Sequence, residues 1–268
     1  MIMSKSMPAI ERRGDGQMKT IVIKCGGSII GRLSDQFFDS LAELRSEGYS
    51  FVFVHGGGPD INEMLDRFEV PVQFENGLRK TTKETLEIAE LVLAGKTNRQ
   101  LVHMLQSHGF KAVGLNGSDG AILEAEHIDQ AALGEVGKIR KVDTTLLDVL
   151  LAKEVYPVLT PISLNQDGGK LNVNADTAAG AVAAALHAEL CIFITDVAGI
   201  RNGPSTIDHI TEAEIHQLID TGTIYGGMIP KVNAAIQAKQ EGASTILITS
   251  GVSRFFSNKE WKGTFLGA

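Results

Sequence analysis

The stretch TIVIKCGG at residues 20–27 is an apolar run that closes on a lysine and a pair of glycines. Further runs of this kind follow, each short, rich in Val, Ile or Phe and ending in turn residues: SFVFVHGGG (50–58), KAVGLNGSDG (111–120), YPVLTPIS (156–163), LCIFITDVAG (190–199) and STILITSG (244–251). Because apolar and polar residues do not alternate in them, the runs predict strands that are buried on both faces.

Helical patterns fill the intervals between these runs. DQFFDSLAELRSEG (35–48) follows the first run, and PDINEMLDRF (59–68) follows the second with a proline at its start. Two later helices open with the spacing of a capping box, Thr81 with Glu84 and Thr211 with Glu214. Strands that alternate with helices predict an α/β fold with a central, mostly parallel sheet and helices on both faces.

Two segments differ from the buried runs. AILEAEHI (121–128) and GKIRKVD (137–143) are closer to alternation and predict an antiparallel hairpin. No low-complexity linker divides the chain, so we expect any two lobes to share one continuous sheet. Residues 1–17 mix Pro, Gly and charge, and we expect them to form a flexible leader.

Composition narrows the class of protein. The chain has 268 residues, with 43% hydrophobic and 21% charged residues, as in ordinary globular proteins. A formal net charge of −7 without a Lys/Arg-rich face argues against a nucleic-acid binder. No apolar stretch reaches the roughly 18 residues of a membrane span. Cys25 and Cys191 lie inside apolar runs, which favours a reduced, cytoplasmic protein over a disulfide framework.

Two groups of glycines follow predicted strands directly. Gly26 and Gly27 come after Lys24, and Gly57 and Gly58 come after a strand that ends at residue 55. Glycine lets backbone N–H groups approach an anion, and a helix start adds a positive dipole. Neither group matches G-x-x-x-x-G-K-[ST] or G-x-G-x-x-G. Tight turns alone would also explain each group, but both lie where ligands bind in open α/β sheets.

Lys231 lies in the first turn of a predicted helix within YGGMIPKVNAAIQAKQEG (225–242). A cation there opposes the helix dipole by about 0.3–1 kcal/mol. Either the side chain points into water, or it helps the helix start to hold an anion.

Asp176 opens an Ala-rich helix in LNVNADTAAGAVAAAL. It either caps that helix or orients the ammonium groups of Lys24 and Lys231, which would otherwise repel each other. Two lysines, a carboxylate and glycine N–H groups are suited to phosphoryl transfer, which depends on positioning and charge neutralisation.

Several motifs occur in a familiar order: IKCGGS, VHGGG, NGLRKTT, LNVNAD, TDVAGI and GGMIPKVNAA. In this order the chain resembles the acetylglutamate kinases of the amino acid kinase superfamily, from about Met18 to its C-terminus. NGLR together with NVNAD is particular to these kinases and to the related acetylaminoadipate kinases. The resemblance implies a three-layer sandwich whose two lobes share one sheet.

The resemblance implies a reaction and its residues. MgATP would phosphorylate the side-chain carboxylate of N-acetyl-L-glutamate, giving N-acetyl-L-glutamyl 5-phosphate in arginine biosynthesis. Magnesium would lie between phosphate oxygens, without a dedicated protein site. The implied catalytic residues are Lys24, Asp176 and Lys231. The implied substrate-binding residues are Gly57, Gly58, Arg79, Asn172 and Asn174. The implied nucleotide-binding residues are Gly26, Gly27, Thr195, Asp196, Val197, Gly199, Ile200 and Tyr225.

The same resemblance divides the chain into lobes. Residues 18–175 would bind the amino-acid substrate and form the dimer contact, and residues 176–268 would bind ATP. No general base is required, because the acceptor carboxylate is ionised at neutral pH. His55 ends a strand before three glycines, and we expect it to make a structural hydrogen bond. We expect Cys25 to lie in the core, because in a regular strand it points to the face opposite Lys24, and Asp119 to serve a turn.

Two alternatives stay open at this point. One is an acetylaminoadipate kinase of lysine biosynthesis, whose substrate differs by one methylene, worth only about 1–3 kcal/mol in a pocket. The other is a sensor that keeps the fold without turnover, although the intact lysines and Asp176 argue against it.

The assembly can also be predicted. The helix at 82–107 carries more apolar residues than one core-facing stripe needs, among them Leu86, Ile88, Leu91, Val92, Leu93 and Leu101. This excess suggests a two-fold homodimer. Arginine-inhibited relatives form hexamers through an N-terminal helix. Pro8, Gly14 and Gly16 interrupt any such helix here, so we expect a dimer that arginine does not inhibit.

Overall fold

A computed structural model describes residues 19–267, so the predictions for residues 1–17 lie outside it. The strands are β1 (Lys19–Cys25), β2 (Tyr49–His55), β3 (Phe74–Glu75), β4 (Leu78–Arg79), β5 (Ala112–Asn116), β6 (Leu123–His127), β7 (Val136–Val142), β8 (Tyr156–Thr160), β9 (Ile162–Leu164), β10 (Lys170–Val173), β11 (Leu190–Thr195), β12 (Arg201–Asn202), β13 (Ser205–Thr206), β14 (His209–Ile210), β15 (Ile246–Ser250), β16 (Phe256–Ser257), β17 (Glu260–Trp261) and β18 (Thr264–Leu266).

The α-helices are α1 (Gly27–Ile30), α2 (Asp35–Ser46), α3 (Gly58–Arg67), α4 (Lys83–Glu90), α5 (Asn98–Ser107), α6 (Gln130–Leu133), α7 (Thr145–Leu151), α8 (Ala175–Ala185), α9 (Glu212–Asp220) and α10 (Met228–Gln240). A π-helical segment, Leu91–Thr97, joins α4 to α5, and a short 3₁₀ turn covers Asp119–Ala121. Within the described part of the chain, every helix is too short or too polar to cross a bilayer.

One eight-stranded sheet organises the molecule, in the order β14-β18-β15-β11-β1-β2-β8-β5. The six strands from β15 to β5 are mutually parallel, and they are the six glycine-bounded runs of the sequence. β18 pairs antiparallel with β15, and β14 pairs parallel with β18, so these two strands run opposite to the other six. The predicted α/β class and the single shared sheet are therefore confirmed.

The predicted hairpin is also present. Strands β6 and β7 pair antiparallel and close a small four-stranded barrel with β9 and β10. This barrel stands beside the carboxyl ends of the central strands, because β8 continues into β9 after one residue and barrel residues line a cavity with Gly56 and Gly57.

One of the two predicted capping boxes is wrong. Thr211 and Glu214 form theirs at the start of α9. At the start of α4, however, Thr82 is the cap and accepts a hydrogen bond from Thr85 N at 3.0 Å. Thr81 instead donates its hydroxyl to the carbonyl of Arg79 at 2.8 Å. Two adjacent threonines compete for the cap, and the return of the chain from β4 decides between them.

Most of the apolar side chains of the 82–107 helix are buried within this one chain. Of the six side chains noted above, only Leu91 is exposed, by 62%. Two separate clusters take the others, because the helix packs against α3 at one end and against the main core at the other. The π-helical turn also shifts the inward face, which lets both Val92 and Leu93 be buried.

Candidate active site

Lys24 and Asp176 form an ion pair at the carboxyl end of the sheet. Their Nζ and Oδ1 atoms lie 2.7 Å apart, and their side chains are 16% and 18% exposed. Lys24 is the penultimate residue of β1, and Asp176 lies in the first turn of α8. The partly buried ammonium group thus has a fixed counterion, and it remains accessible to an anionic ligand.

Asn174, rather than Asp176, caps α8. Its Oδ1 accepts hydrogen bonds from Asp176 N at 2.6 Å and from Thr177 N at 3.4 Å. The capping interpretation of Asp176 is therefore wrong, and its carboxylate is available to Lys24. The side-chain oxygen of Asn174 is already engaged, although the residue lines the cavity described below.

Lys231 lies in the first turn of α10, where the sequence places it, but it does not join the Lys24 pair. Among the described residues its ammonium group pairs with the carboxylate of Asp196, which follows β11 directly. This hydrogen bond holds the pKa of Asp196 below its usual value. The structure thus gives the two lysines separate counterions instead of joining both to Asp176.

The two glycine loops touch each other through their backbones. A Cβ atom on Gly27 would lie 2.6 Å from Gly57 Cα, and a Cβ on Gly57 would lie 2.7 Å from Leu93 Cδ2. A side chain at Gly27 would force the loops apart, and one at Gly57 would push its loop away from Leu93. Gly26 lies close to the ammonium group, since a Cβ there would be 3.9 Å from Lys24 Nζ. Gly57 caps α3, so its loop meets the positive end of that helix.

His55 has the structural role expected of it. It is fully buried, and burial lowers its pKa to about 4. Its Nδ1 lies 3.0 Å from the carbonyl oxygen of Gly56, and its Nε2 lies 3.1 Å from Asn98 Nδ2. Cys25 is also buried, as expected, and Asp119 accepts from Asn116 N within a turn. His55 therefore does not supply a base whose pKa lies near neutrality.

A cavity of about 180 Å³ opens beside the glycine loop of β2. Its lining comes from three parts of the fold, namely the loop, the β3–β4 hairpin and the barrel with the start of α8: Gly56, Gly57, Gly58, Ile61, Phe74, Gly77, Leu78, Arg79, Leu93, Val136, Pro161, Asn172, Val173, Asn174 and Ala175. A space of this size fits a small metabolite, and backbone groups, one cation and two amides supply its polar contacts.

Arg79 is the cation of this cavity. Nη2 donates to Asn62 Oδ1 at 2.6 Å and to Gly58 O at 3.4 Å, and the guanidinium lies 4.8 Å over the ring of Phe74. Its Nη1 is buried without a hydrogen-bond partner among the described residues. Burial of this kind lowers the pKa of Arg79 and costs free energy until a ligand accepts the free N–H groups. A carboxylate would supply that acceptor with the geometry a guanidinium prefers.

Asn172 reaches the same cavity from β10. Its Nδ2 donates to Thr81 Oγ1 at 3.2 Å, which ties the barrel to the segment after Arg79. Its carbonyl oxygen can accept a hydrogen bond from a ligand amide. The structure therefore brings Gly57, Gly58, Arg79 and Asn172 together.

Five of the residues predicted to bind a nucleotide lie at the end of β11 and in the turn after it: Thr195, Asp196, Val197, Gly199 and Ile200. Gly26 and Gly27 instead follow β1, and Tyr225 precedes α10. Thr195 Oγ1 accepts from Val197 N at 3.1 Å and closes a turn. Gly199 has a φ of +142°, and a Cβ there would lie 2.7 Å from Thr264 Oγ1. Ile200 is fully buried, whereas Tyr225 is 75% exposed. Thr195, Gly199 and Ile200 thus shape the turn that presents Asp196.

Some residues of the site escaped the sequence reasoning. Asn62 and Phe74 hold the guanidinium of Arg79, but each lies in an ordinary surface pattern. Thr97 and Asn98 are fully buried beside the glycine loop. Their signal was visible as two adjacent polar residues inside the long apolar helix. Within residues 19–267, no cluster of three or more His, Cys, Asp or Glu side chains is arranged to hold a metal ion.

Comparison with known proteins gives a consistent picture. The model of the amino acid kinase family matches residues 19–250. The acetylglutamate kinase of Geobacillus stearothermophilus is 49% identical over 246 residues, which cover 92% of this chain and 95% of that protein. The crystal structure of smu.665 from Streptococcus mutans UA159 superposes with a TM-score of 0.80 at 30% identity, covering 93% of this chain and 98% of that one. Carbamate kinase from Giardia lamblia bound to AMP-PNP shares the fold, with a TM-score of 0.64 at 16% identity and coverage of 92% and 98%.

Proposed function

This chain belongs to the amino acid kinase family, and we propose that it phosphorylates the side-chain carboxylate of N-acetyl-L-glutamate, using ATP. The product is N-acetyl-L-glutamyl 5-phosphate, an acyl phosphate of arginine biosynthesis. The relatives named acetylglutamate kinase, which align along almost the whole chain, support this assignment. The observation that carries it is the buried, unpaired Nη1 of Arg79 in a small cavity beside the glycine loops.

The acceptor substrate fits this cavity by its charges. Arg79 would bind the α-carboxylate through the free edge of its guanidinium, and Asn172 would contact the acetylamino group. The side-chain carboxylate would then reach toward the N–H groups of Gly57 and Gly58. Asn174, whose oxygen caps α8, would contribute only its amide nitrogen.

The reaction requires no proton transfer. A side-chain carboxylate is ionised at neutral pH, so one of its oxygens attacks the γ-phosphorus directly. The bond between that phosphorus and the bridging oxygen breaks, and ADP leaves with the electron pair. Lys24 would offset the charge of the transferring group, while Asp176 keeps its ammonium in place. The neutral, buried His55 agrees with this scheme.

The nucleotide would lie across the C-terminal lobe. We assign residues 176–268 to this lobe and residues 18–175 to the substrate lobe. The start of α10 and Lys231 offer an anion site, with the turn at Thr195–Ile200 and Tyr225 beside it. Gly26 and Gly27 would contribute from the first glycine loop. Magnesium bound with the nucleotide would supply further charge neutralisation, and the nucleotide's phosphates would be its main ligands.

For the assembly we propose a homodimer. Leu91 is exposed by 62% on the helix beside β5, and β5 is an edge strand of the large sheet. An apolar residue and an open strand edge on one side of the molecule favour a self-complementary contact. Both cysteines are free and buried, which suits a reducing compartment, and we place the protein in the cytoplasm.

A trapping assay tests the proposed function. The protein is incubated with MgATP and N-acetyl-L-glutamate in the presence of hydroxylamine, which converts an acyl phosphate into a coloured hydroxamate. We expect hydroxamate and ADP in equal amounts. Release of ADP without hydroxamate would identify a different acceptor, and the absence of both would favour the non-catalytic sensor.

A further inference from the structure

The buried ring of His55 is held in one tautomer by its neighbours. Asn98 Nδ2 donates to the carbonyl oxygen of Val158 at 2.8 Å, and this acceptor identifies the atom as the amide nitrogen. The same Nδ2 lies 3.1 Å from His55 Nε2, which must therefore accept. Because burial keeps the ring neutral, the proton is on Nδ1 and is donated to the carbonyl oxygen of Gly56 at 3.0 Å.

This proton fixes the first peptide of the glycine loop. Gly56 N donates to Cys25 O at 3.0 Å, so both backbone groups of Gly56 are engaged. In a trans peptide the C=O and the following N–H point in opposite directions. The N–H of Gly57 is therefore turned away from His55. Gly57 N lies beside Gly27, since a Cβ on Gly27 would be 3.0 Å from it.

The helix that supplies Asn98 also supports the other side of the loop. Asn98 is the first residue after the π-helical segment Leu91–Thr97. Such π-helical segments often occur at functional sites. Leu93 and Thr97 of that segment both approach Gly57, where a Cβ would lie 2.7 Å and 3.2 Å from them. Thr97 Oγ1 also donates to Asp60 Oδ2 at 3.1 Å. The loop is thus held from two sides by buried side chains of one helix.

We infer that His55 is a positioning residue for phosphoryl transfer, with Asn98 setting its tautomer so that the Nδ1 proton aims the N–H of Gly57 into the site. This inference rests on the proposed kinase function. His55 touches neither substrate, so its loss should lower kcat and leave the KM for ATP and for N-acetyl-L-glutamate nearly unchanged. A displaced loop can cost about 10–100-fold in rate, the scale known for small misplacements of reacting groups.

Two substitutions test the contributions of the two ring nitrogens of His55 separately. The amide nitrogen of His55→Asn can occupy the position of Nδ1 and donate to Gly56, whereas that of His55→Gln reaches the position of Nε2. We expect His55→Asn to keep most of the kcat and His55→Gln to lose it. His108→Gln is the matched control, because His108 Nδ1 also contacts a carbonyl, Met104 O at 2.8 Å, far along the same helix.

The outcomes are decisive when stability is measured beside kinetics. If His55 only fills space, both variants lower the melting temperature and keep the kcat of the folded enzyme, which would overturn the inference. Nitrogen-15 NMR of the wild-type ring gives a second readout that needs no activity. We expect a protonated Nδ1 and a bare Nε2, and the reverse pattern would also overturn it. Failure of the proposed function is distinct, since wild-type protein would then form no acyl phosphate.

Discussion

Lys24 Nζ and Asp176 Oδ1 lie 2.7 Å apart across the carboxyl end of the sheet, while Lys231 is paired with Asp196. The two ammonium groups therefore have separate counterions. Asp176 is partly buried and held by the start of α8, whereas the side chain of Asp196 is 48% exposed. Lys231 can exchange its partner for a phosphate at lower cost than Lys24 can, since exposed ion pairs are weak.

Removal of either lysine should affect the chemical step. We expect Lys24→Ala and Lys231→Ala each to lower kcat by about 10²–10³-fold, because each loses a charge that offsets the transferring phosphoryl group. Asp176→Asn should also lower kcat with the fold intact. Steady-state rates with circular dichroism measure both properties.

Lys141→Ala is the control for the lysine variants. Lys141 lies on β7 outside the site, is 57% exposed and pairs with Glu124 of β6 at 3.3 Å. It should behave as wild type. Nearly full turnover in Lys24→Ala or Lys231→Ala would contradict the assigned roles.

Arg79→Lys should separate binding of the two substrates. A lysine ammonium cannot replace the guanidinium fork that Asn62 orients, so the KM for N-acetyl-L-glutamate should rise far more than that for ATP. The exposed Arg67, which pairs with Glu63 at 2.5 Å, gives the control Arg67→Lys. A selective rise in the KM for ATP would place Arg79 in the nucleotide site instead.

Gly57→Ala should disrupt the packing of its loop against the π-helical segment Leu91–Thr97. Its Cβ would lie 2.7 Å from Leu93 Cδ2, so we expect a lower melting temperature and a large loss of kcat. A Cβ on Gly58 meets no described atom within 4 Å, and Gly58→Ala should lose much less. Equal effects of both substitutions would show that loop flexibility, rather than close approach, explains the glycines.

The dimer can be tested at Leu91. Light scattering should give twice the mass of the chain for wild type, and Leu91→Asp should shift it toward monomer. Val149→Asp, at another exposed apolar residue on α7, should leave the mass unchanged. Addition of arginine should change neither the mass nor the rate. A wild-type hexamer or strong inhibition by arginine would contradict this prediction.

The fold could be predicted from the sequence because local patterns of residues determine its strands and helices. A run such as 20–27, in which apolar and polar residues do not alternate, is expected to be buried between two layers, and its closing glycines mark the end of the strand. The choice between Thr81 and Thr82 as a cap was not readable, because the path of β4 decides it. The π-helical turn was not predicted either, and its Leu93 and Thr97 lie against Gly57, which is distant in the sequence.

The sequence motifs indicated candidate site residues, but they did not indicate which charged groups pair with each other. Lys24 lies at the end of a predicted strand beside two glycines and Lys231 opposes a helix dipole, which suggested anion binding, although a side chain in water would also explain Lys231. The partner of each charged group is distant in the sequence. Only the structure therefore shows that Lys231 pairs with Asp196 and that Arg79 donates a hydrogen bond to Asn62. The same is true of His55, whose tautomer depends on Asn98 and Val158.

The most direct test of the account compares acceptors in one assay. The kcat/KM for ADP release is measured with N-acetyl-L-glutamate, acetylaminoadipate, glutamate and aspartate at saturating MgATP. We predict that N-acetyl-L-glutamate is the best acceptor and that free glutamate is much poorer, because the cavity is small and provides for an acetylamino group. Equal or better kcat/KM with acetylaminoadipate would contradict the account and move the enzyme to lysine biosynthesis.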